Sequence, residues 1–222
     1  MPLARWVRQP AKAIVLLVDR LAFPPARGTD DQWLRIVMNE HVAQRLGRLP
    51  RSRLDALEVS GDNYRDEGWR SYRSIHWPQH DICDPDLDIE PADVIVADQV
   101  LEHVPRPWLA IQNMRRLCRD GGLVVVTTPF LVRRHELPSD YWRFTEEGMR
   151  VLLEDAGLRV EAIRTWGNRL CVVGNLGRWS RPRSWYPMGN ERDFPAVLWA
   201  FATPQLVRAS EHTGCLNRPA ER

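Results

Sequence analysis

Asp93-Val94-Ile95-Val96-Ala97-Asp98 and Leu123-Val124-Val125-Val126-Thr127-Thr128 are two unbroken apolar runs of strand length, the first closing on an acid and the second stopping at Pro129. Such runs belong to parallel strands buried on both faces, since strict alternation is needed only where one face meets water. Between them Pro107 opens a helix in which Trp108, Ile111, Met114 and Leu117 or Cys118 form one stripe, and Gly121-Gly122 reads as its stop. Strand, helix and strand in that order make the repeating unit of an open α/β sheet.

The same alternation extends outward. Upstream, Thr29 and Asp30 are placed to cap a helix carrying Leu34, Met38, Val42 and Leu46 at four-residue spacing, closed by Gly47 and Pro50. Leu54 to Val59 is a short strand, and Ser60-Gly61-Asp62-Asn63 has the residue types of a tight turn. The stretch from Arg70 to Ile82 reads as one or two short strands broken at Pro78. Downstream, Thr145 caps a helix with Glu146 and Glu147 in its first turn, Met149, Leu152, Leu153 and Ala156 on one side and Gly157 as the stop. Val160–Trp166 and Pro195–Ala202 are two further strands, separated by an Arg/Trp/Pro-rich loop over 175–193. The division is an N-terminal arm over 1–28, one domain over 29–204 and a tail over 205–222, with helices on both faces of the sheet and ligands received beyond the strands' carboxyl ends.

Composition narrows the function classes. In 222 residues, 44% hydrophobic and 27% charged are globular values. The 31 basic residues meet 29 acidic ones for a net charge of +2, so the lopsided field of a dedicated nucleic-acid binder is missing. Lys12 is the only lysine, which reads first as a bias toward arginine. Cys83, Cys118, Cys171 and Cys215 form no C-x-x-C pair and the histidines are not clustered in sequence, so neither a metal site nor a disulfide framework is expected, and reduced thiols in the cytoplasm are. Ala13–Val18 is too short to cross a bilayer. Residues 1–27 nevertheless carry Arg5, Arg8, Lys12, Arg20 and Arg27 among Trp6, Val7, Ile14, Leu17, Val18 and Leu21. That pattern suits a basic helix lying peripherally on a membrane, and it equally suits a helix packed on the domain or a free arm.

Strand ends nominate the chemistry. Glu58 to Asp62, Asp98 to His103 and Thr128 to Asp140 follow three strands and should converge. Backbone N–H groups at Ser60-Gly61 can approach a ligand closely, and carboxylates at Glu58, Asp81 and Asp98 can accept from its hydroxyls or amine. Each has a plain structural alternative, as a turn glycine or a capping acid.

Asp93 through Trp108, then Leu117-Cys118-Arg119-Asp120-Gly121-Gly122 with the apolar run to Phe130, then His135 through Thr145 including Asp140-Tyr141-Trp142-Arg143-Phe144-Thr145, resemble the second half of a class I S-adenosylmethionine-dependent methyltransferase of the small-molecule "type 11" group. The resemblance covers about residues 29–204 and is most specific over 93–158. It implies a Rossmann-like sheet, mostly parallel with an antiparallel last strand, and S-adenosylmethionine as cofactor. The strand-end Asp98 with Gln99, Val100 and the Leu101-Glu102-His103-Val104 segment would border its methionine part. The family's E-x-G-x-G turn is divergent here: Glu58 keeps the acid, Ser60 and Asp62 replace two glycines and Gly61 remains. The interval from Glu58 to Asp98 is compressed, the ribose acid has no clear counterpart and His76 lies nearest its place. Asp81 with Ile82 would sit beside the adenine, with Asp84 as the other candidate.

Methyl transfer asks for in-line positioning more than for reactive side chains, and a hydroxyl or amine acceptor needs a base within hydrogen-bond reach. His135 is the first candidate for base or acceptor anchor and His103 the second. Arg133, Arg134 and Arg143 are placed for an anionic acceptor such as a sugar phosphate or acidic sugar, Tyr141 and Trp142 for an aromatic wall, and Trp179–Trp185 with Arg181 and Arg183 for a lid. The expected function is metal-independent methyl transfer, at oxygen, to a small-molecule or glycan-type acceptor, by a monomer or homodimer. The alternative is a catalytically silent methyltransferase-like module that binds a partner, at a membrane through its arm.

Overall fold

The computed structural model describes residues 21–29, 31–135 and 139–205. The arm up to residue 20 and the tail from 206 therefore lie outside the described residues, as do Asp30 and Glu136. Among the described residues the elements that build the domain follow in chain order: α1 (Trp33–Gly47), β1 (Asp55–Val59), β2 (Ser71–Ile75), β3 (Ala92–Asp98), α2 (Pro107–Leu117), β4 (Cys118–Pro129), α3 (Glu146–Asp155), β5 (Leu158–Trp166), α4 (Arg169–Asn175) and β6 (Val197–Pro204). The sheet order is β2-β1-β3-β4-β6-β5, with β2, β1, β3 and β4 parallel and β6 antiparallel to both of its neighbours.

The two apolar runs lie side by side at the centre, and their alternate residues feed two cores. Ile95, Ala97, Val124 and Val126 pack under α2 and α3 with Ile111, Met114, Met149 and Leu153. Val94, Val96, Leu123 and Val125 pack under α1 with Trp33, Met38, Val42 and Trp199. Thr145 caps α3 as its sequence requires, its hydroxyl accepting from the Gly148 N–H at 3.0 Å.

Three local expectations are corrected. Gln32, not Thr29 or Asp30, is the N-cap of α1 and offers no side-chain cap; Asp31 instead ties the preceding turn by accepting from the N–H groups of Arg27 and Gly28. Trp108 stands exposed on α2 while Pro107, Ala110 and Asn113 join the buried side. Gly121-Gly122 does not stop α2, because the helix ends at Leu117 and the glycines lie within β4 where the register with β3 shifts. Gly121 has φ +77°, and a Cβ on Gly122 would fall 2.5 Å from the Asp93 carbonyl oxygen, so the close approach of β3 demands glycine there.

Two connections lack helices. Residues 60–70 join β1 to β2 as turns, with Tyr64 and Trp69 packed against the α1-side core and the Trp69 indole N–H donating to the Tyr64 carbonyl at 2.9 Å. Residues 76–91 join β2 to β3 irregularly, burying Ile82, Cys83 and Leu87. Polar side chains from α2 hold this segment down: the Asn113 amide donates to the Ile82 and Asp84 carbonyls and Arg116 to that of Leu87. Residues 21–28, read as arm, run along 179–186 through a Pro25–Ser180 bridge and backbone bonds from Ala26 to Trp179 and from Arg181 to Pro24.

At the opposite end of the sheet from the strand ends, Asp55 accepts from Arg70, Arg119 and Ser71, and these partners hold its carboxyl far below the usual carboxylate range. A lowered folded-state value means stabilisation that is present above about pH 4 and fades as pH falls further, toward the folded value. Asp55→Asn is expected to cost about 1–2 kcal/mol at pH 7, discounted because both arginines are partly solvent-screened. Thermal melts of the two proteins should differ at pH 7 and converge as acid is added below about pH 4.

Candidate functional site

The carboxyl ends of β1, β2, β3 and β4 converge, as the parallel register requires. Glu58, the penultimate residue of β1, is buried, and its carboxylate accepts from the Asn63 and Tyr64 N–H groups, each at 3.0 Å, and from the Tyr72 hydroxyl at 2.6 Å. It thus organises the following turn from beneath. Ser60 turns the chain with φ 59°, and its N–H donates to the Ile75 carbonyl at 2.8 Å. Gly61 passes directly over the Glu58 carboxylate; a Cβ there would lie 2.1 Å from Glu58 Oε1.

Asp62 leaves this turn and reaches the end of β2. Its exposed carboxylate accepts from the Ser74 hydroxyl at 2.8 Å and from Arg65 at 2.6 Å, with His76 Nε2 at 3.8 Å. The Ser74 bond, together with Arg65, holds its carboxyl below the ordinary value. An acid therefore does stand at the end of the second strand, delivered from the preceding turn. Asp81 is exposed and accepts from the Cys83 N–H at 2.8 Å, while Ile82 is buried beside it.

Asp98 is enclosed, its side chain 3% exposed, and is ion-paired with Arg35 of α1, itself 9% exposed. The Thr127 hydroxyl and the Asn63 amide also donate to it, the latter at 3.3 Å across the gap between the β1 and β3 ends. Gln99, at φ 58°, directs its N–H and its amide to Thr127 Oγ1 at 3.0 and 3.1 Å, and Val100 is buried. Arg35 was not evident from the sequence. Its Nε is buried and has no partner. The available signal was an arginine three residues before Met38 and seven before Val42, on the inward side of a helix.

His103 and His135, 32 positions apart in sequence, are brought together by the fold. His103 and His135 lie with ring centroids 4.9 Å apart and planes at 89°. Glu102, completely buried between them, has its Oε1 3.7 Å from His103 Nε2 and 4.0 Å from His135 Nε2, and neither carboxylate oxygen accepts a hydrogen bond. Burial pushes the Glu102 carboxyl up to about 8, and burial likewise lowers the His135 imidazole. His103 Nδ1 meets the Ser139 carbonyl, and His135 Nδ1 lies 3.5 Å from Asp140 Oδ2. Burial alone would raise Asp140, but a two-pronged Arg143 and the His135 N–H reverse this and keep it ionised below its usual value.

The remaining candidates surround this cluster. Arg143 is committed to Asp140, so it organises the loop and is not the open anion anchor expected of it. The Arg133 guanidinium lies 5.5 Å from the centre of the Trp179 ring, which in turn packs edge-on against His135 at 5.1 Å. Arg134, Tyr141 and Trp142 line a shallow cleft with Val132, Asp140 and Arg143, and Tyr141 is exposed. In the Trp179–Trp185 segment, the Arg181 N–H and the Arg183 side chain bind the backbone of residues 21–24, leaving Trp179 as its contact with the site.

A methyltransferase-domain family matches residues 29–163, more than half of the chain. No curated protein matches the sequence significantly. Among solved structures, a chain of the Haloferax volcanii complex between the Trm112 methyltransferase activator and a methyltransferase is 15% identical, with 92% of this chain and 100% of that one covered and a TM-score of 0.52. An S-adenosylmethionine-dependent methyltransferase from Mesorhizobium loti is 11% identical over 77% of this chain and 99% of its own, TM-score 0.50. The Burkholderia thailandensis 1,6-didemethyltoxoflavin-N1-methyltransferase, holding its substrate and S-adenosylhomocysteine, is 14% identical over 92% of both chains, TM-score 0.50. These likenesses are of fold, and with the family match over 29–163 and the mostly parallel sheet they make the chain a member of the class I S-adenosylmethionine-dependent methyltransferases.

Proposed function

We propose that the chain transfers the methyl group of S-adenosylmethionine to a hydroxyl of a small-molecule or glycan-type acceptor seated at the ends of β3 and β4. The observation carrying this reading is the Glu102–His103–His135–Asp140 cluster, which gathers titratable groups at the one place where the cofactor crevice of such a sheet meets the acceptor.

The residues present fit the cofactor. The unpartnered Nε of Arg35 would receive the methionine carboxylate, and Asp98 beside it the amine, so that a zwitterionic end group meets a matched ion pair. Asp62, flanked by Ser74 and His76, offers carboxylate oxygens that would accept from ribose hydroxyls, and Asp81 with Ile82 would border the adenine. Ser60 is exposed and Asp62 reaches the end of β2, so the residues that replace the two glycines re-route the turn. When bound, the cofactor supplies an activated methyl on a sulfonium. The protein's part is to hold the acceptor oxygen in line, exclude water with Trp179 and Tyr141, and take up the hydroxyl proton. His135, lowered by burial and with its Nδ1 3.5 Å from Asp140 Oδ2, is a neutral imidazole at pH 7 and is the group that accepts it.

Incubation with methyl-labelled S-adenosylmethionine and a panel of phenols, sugars and sugar phosphates should label a hydroxyl compound. His135→Gln is expected to lower kcat about 100- to 10,000-fold with KM for the cofactor little changed. Undiminished turnover in that variant would remove the proton-accepting role.

A further inference from the structure

We propose that Glu102, His103 and His135 form a binding site for one divalent first-row transition-metal ion of the zinc type. The proposal deepens the acceptor-site reading and rests on it for its catalytic meaning, though not for the existence of the site.

One ligand atom from each residue lies within 4.8 Å of the other two. Across a tetrahedral zinc with bonds of about 2.0–2.1 Å, neighbouring ligand atoms stand about 3.4 Å apart. The Glu102 oxygen at 3.7 and 4.0 Å from the two imidazole nitrogens needs only a few tenths of an ångström of closure to meet that spacing. Two imidazoles and one carboxylate are a donor set that divalent ions of this row take up, leaving a coordination position open.

Glu102 supplies independent testimony. Its side chain is fully buried, aimed between the two rings, and both oxygens lack a hydrogen-bond donor. A buried carboxyl without donors either gives up its charge or keeps it at high cost, and a cation between it and the imidazoles is what allows it to ionise there. The outer nitrogens agree. His103 Nδ1 is turned to the Ser139 carbonyl and His135 Nδ1 faces Asp140, which Arg143 fixes, so each ring presents Nε2 to Glu102. A metal-ligating histidine is oriented by a carbonyl or carboxylate on its far nitrogen, as the Ser139 carbonyl holds His103, while His135 has the Asp140 carboxylate nearby at 3.5 Å without a hydrogen bond.

With an ion in place, the acceptor hydroxyl takes the open position and its acidity rises. Its proton passes to water, the oxygen lone pair forms the O–CH3 bond, and the S–CH3 electron pair stays on sulfur as the neutral demethylated cofactor leaves. In that loaded state His135 is a ligand and does not take the proton.

Co²⁺ alone, added to chelator-stripped full chain lacking a polyhistidine tag, tests the site by d–d absorption and equilibrium dialysis. The expected result is one Co²⁺ per chain, displaced by Zn²⁺, with affinity at least about 100-fold weaker in Glu102→Gln and His135→Gln. Glu102→Gln exchanges a buried carboxyl that has no hydrogen-bond donor for a neutral amide of the same size, so the metal-free variant should melt near the wild-type temperature, which separates lost binding from lost folding. Absence of Co²⁺ uptake by the wild type, or equal uptake by the Glu102→Gln/His135→Gln double variant, overturns the proposal. Calorimetry with S-adenosylhomocysteine on the metal-free chain keeps the two readings apart: cofactor binding without Co²⁺ binding overturns the metal site alone, and Co²⁺ binding without cofactor binding leaves the ion site supported and withdraws its link to methyl transfer.

Discussion

Arg35→Met is expected to lower the unfolding free energy by about 3–5 kcal/mol, because it strands the enclosed Asp98 carboxylate without its counter-ion. Arg35 and Asp98 join α1 to the end of β3, so the loss is felt where the outer helix meets the sheet. Urea unfolding measures it directly. Adding Asp98→Asn removes the orphaned charge and should recover a large part of that stability. Cofactor affinity should not recover with it: the proposed carboxylate partner is gone in both variants, and a charge-assisted hydrogen bond is worth about 1.5–3 kcal/mol, or roughly 10- to 100-fold in Kd for S-adenosylhomocysteine. Full recovery of binding in the double variant would show that Arg35 serves the fold only.

The second large effect concerns Gly61. Gly61→Ala places a methyl 2.1 Å from Glu58 Oε1, a distance no contact tolerates, so either the turn lifts or the carboxylate swings out. Either movement breaks the bonds from Glu58 to the Asn63 and Tyr64 N–H groups. Overpacking and broken charge-assisted bonds together are expected to cost about 2–4 kcal/mol, read as a lower urea midpoint with an unchanged m-value. Ser60→Gly is the matched control. It relieves a side chain held at φ 59° and should leave stability unchanged or raise it by up to about 1 kcal/mol. If both substitutions were equally mild, the clamp beneath the turn would be unimportant.

The parts of this molecule legible in its sequence are those where burial alone dictates the pattern. The runs 93–98 and 123–128 are covered on both faces, and no arrangement other than a central parallel pair uses them so well. The Thr145 cap was equally plain, because side-chain chemistry and helix start coincide within three residues. Gly121-Gly122 misled because glycine permits both a helix stop and a strand bulge, and only the Asp93 carbonyl, remote in sequence, selects the second. α4 was missed because seven residues are too few to display a helical period. For the site, the strand ends nominated Glu58, Asp62, Asp98 and His135. What stayed hidden was partnership across the chain: Arg35 with Asp98, Asp62 with Ser74, and Glu102 between His103 and His135. Such pairings have no local signature, since they depend on which helix faces which strand end.

The helix-free links on either side of β2 carry a consequence for how the protein breathes. That margin is fastened by a handful of anchors, Glu58 under one link and Asn113 and Arg116 over the other, where a helix would have spread the burial over several turns. Regions with few apolar contacts open at lower free energy than the body they adjoin. On the proposed placement, a nucleoside lodged there would bind only the closed form, so occupancy and local order would be a single equilibrium, with the cradle held less firmly than the core that supports it.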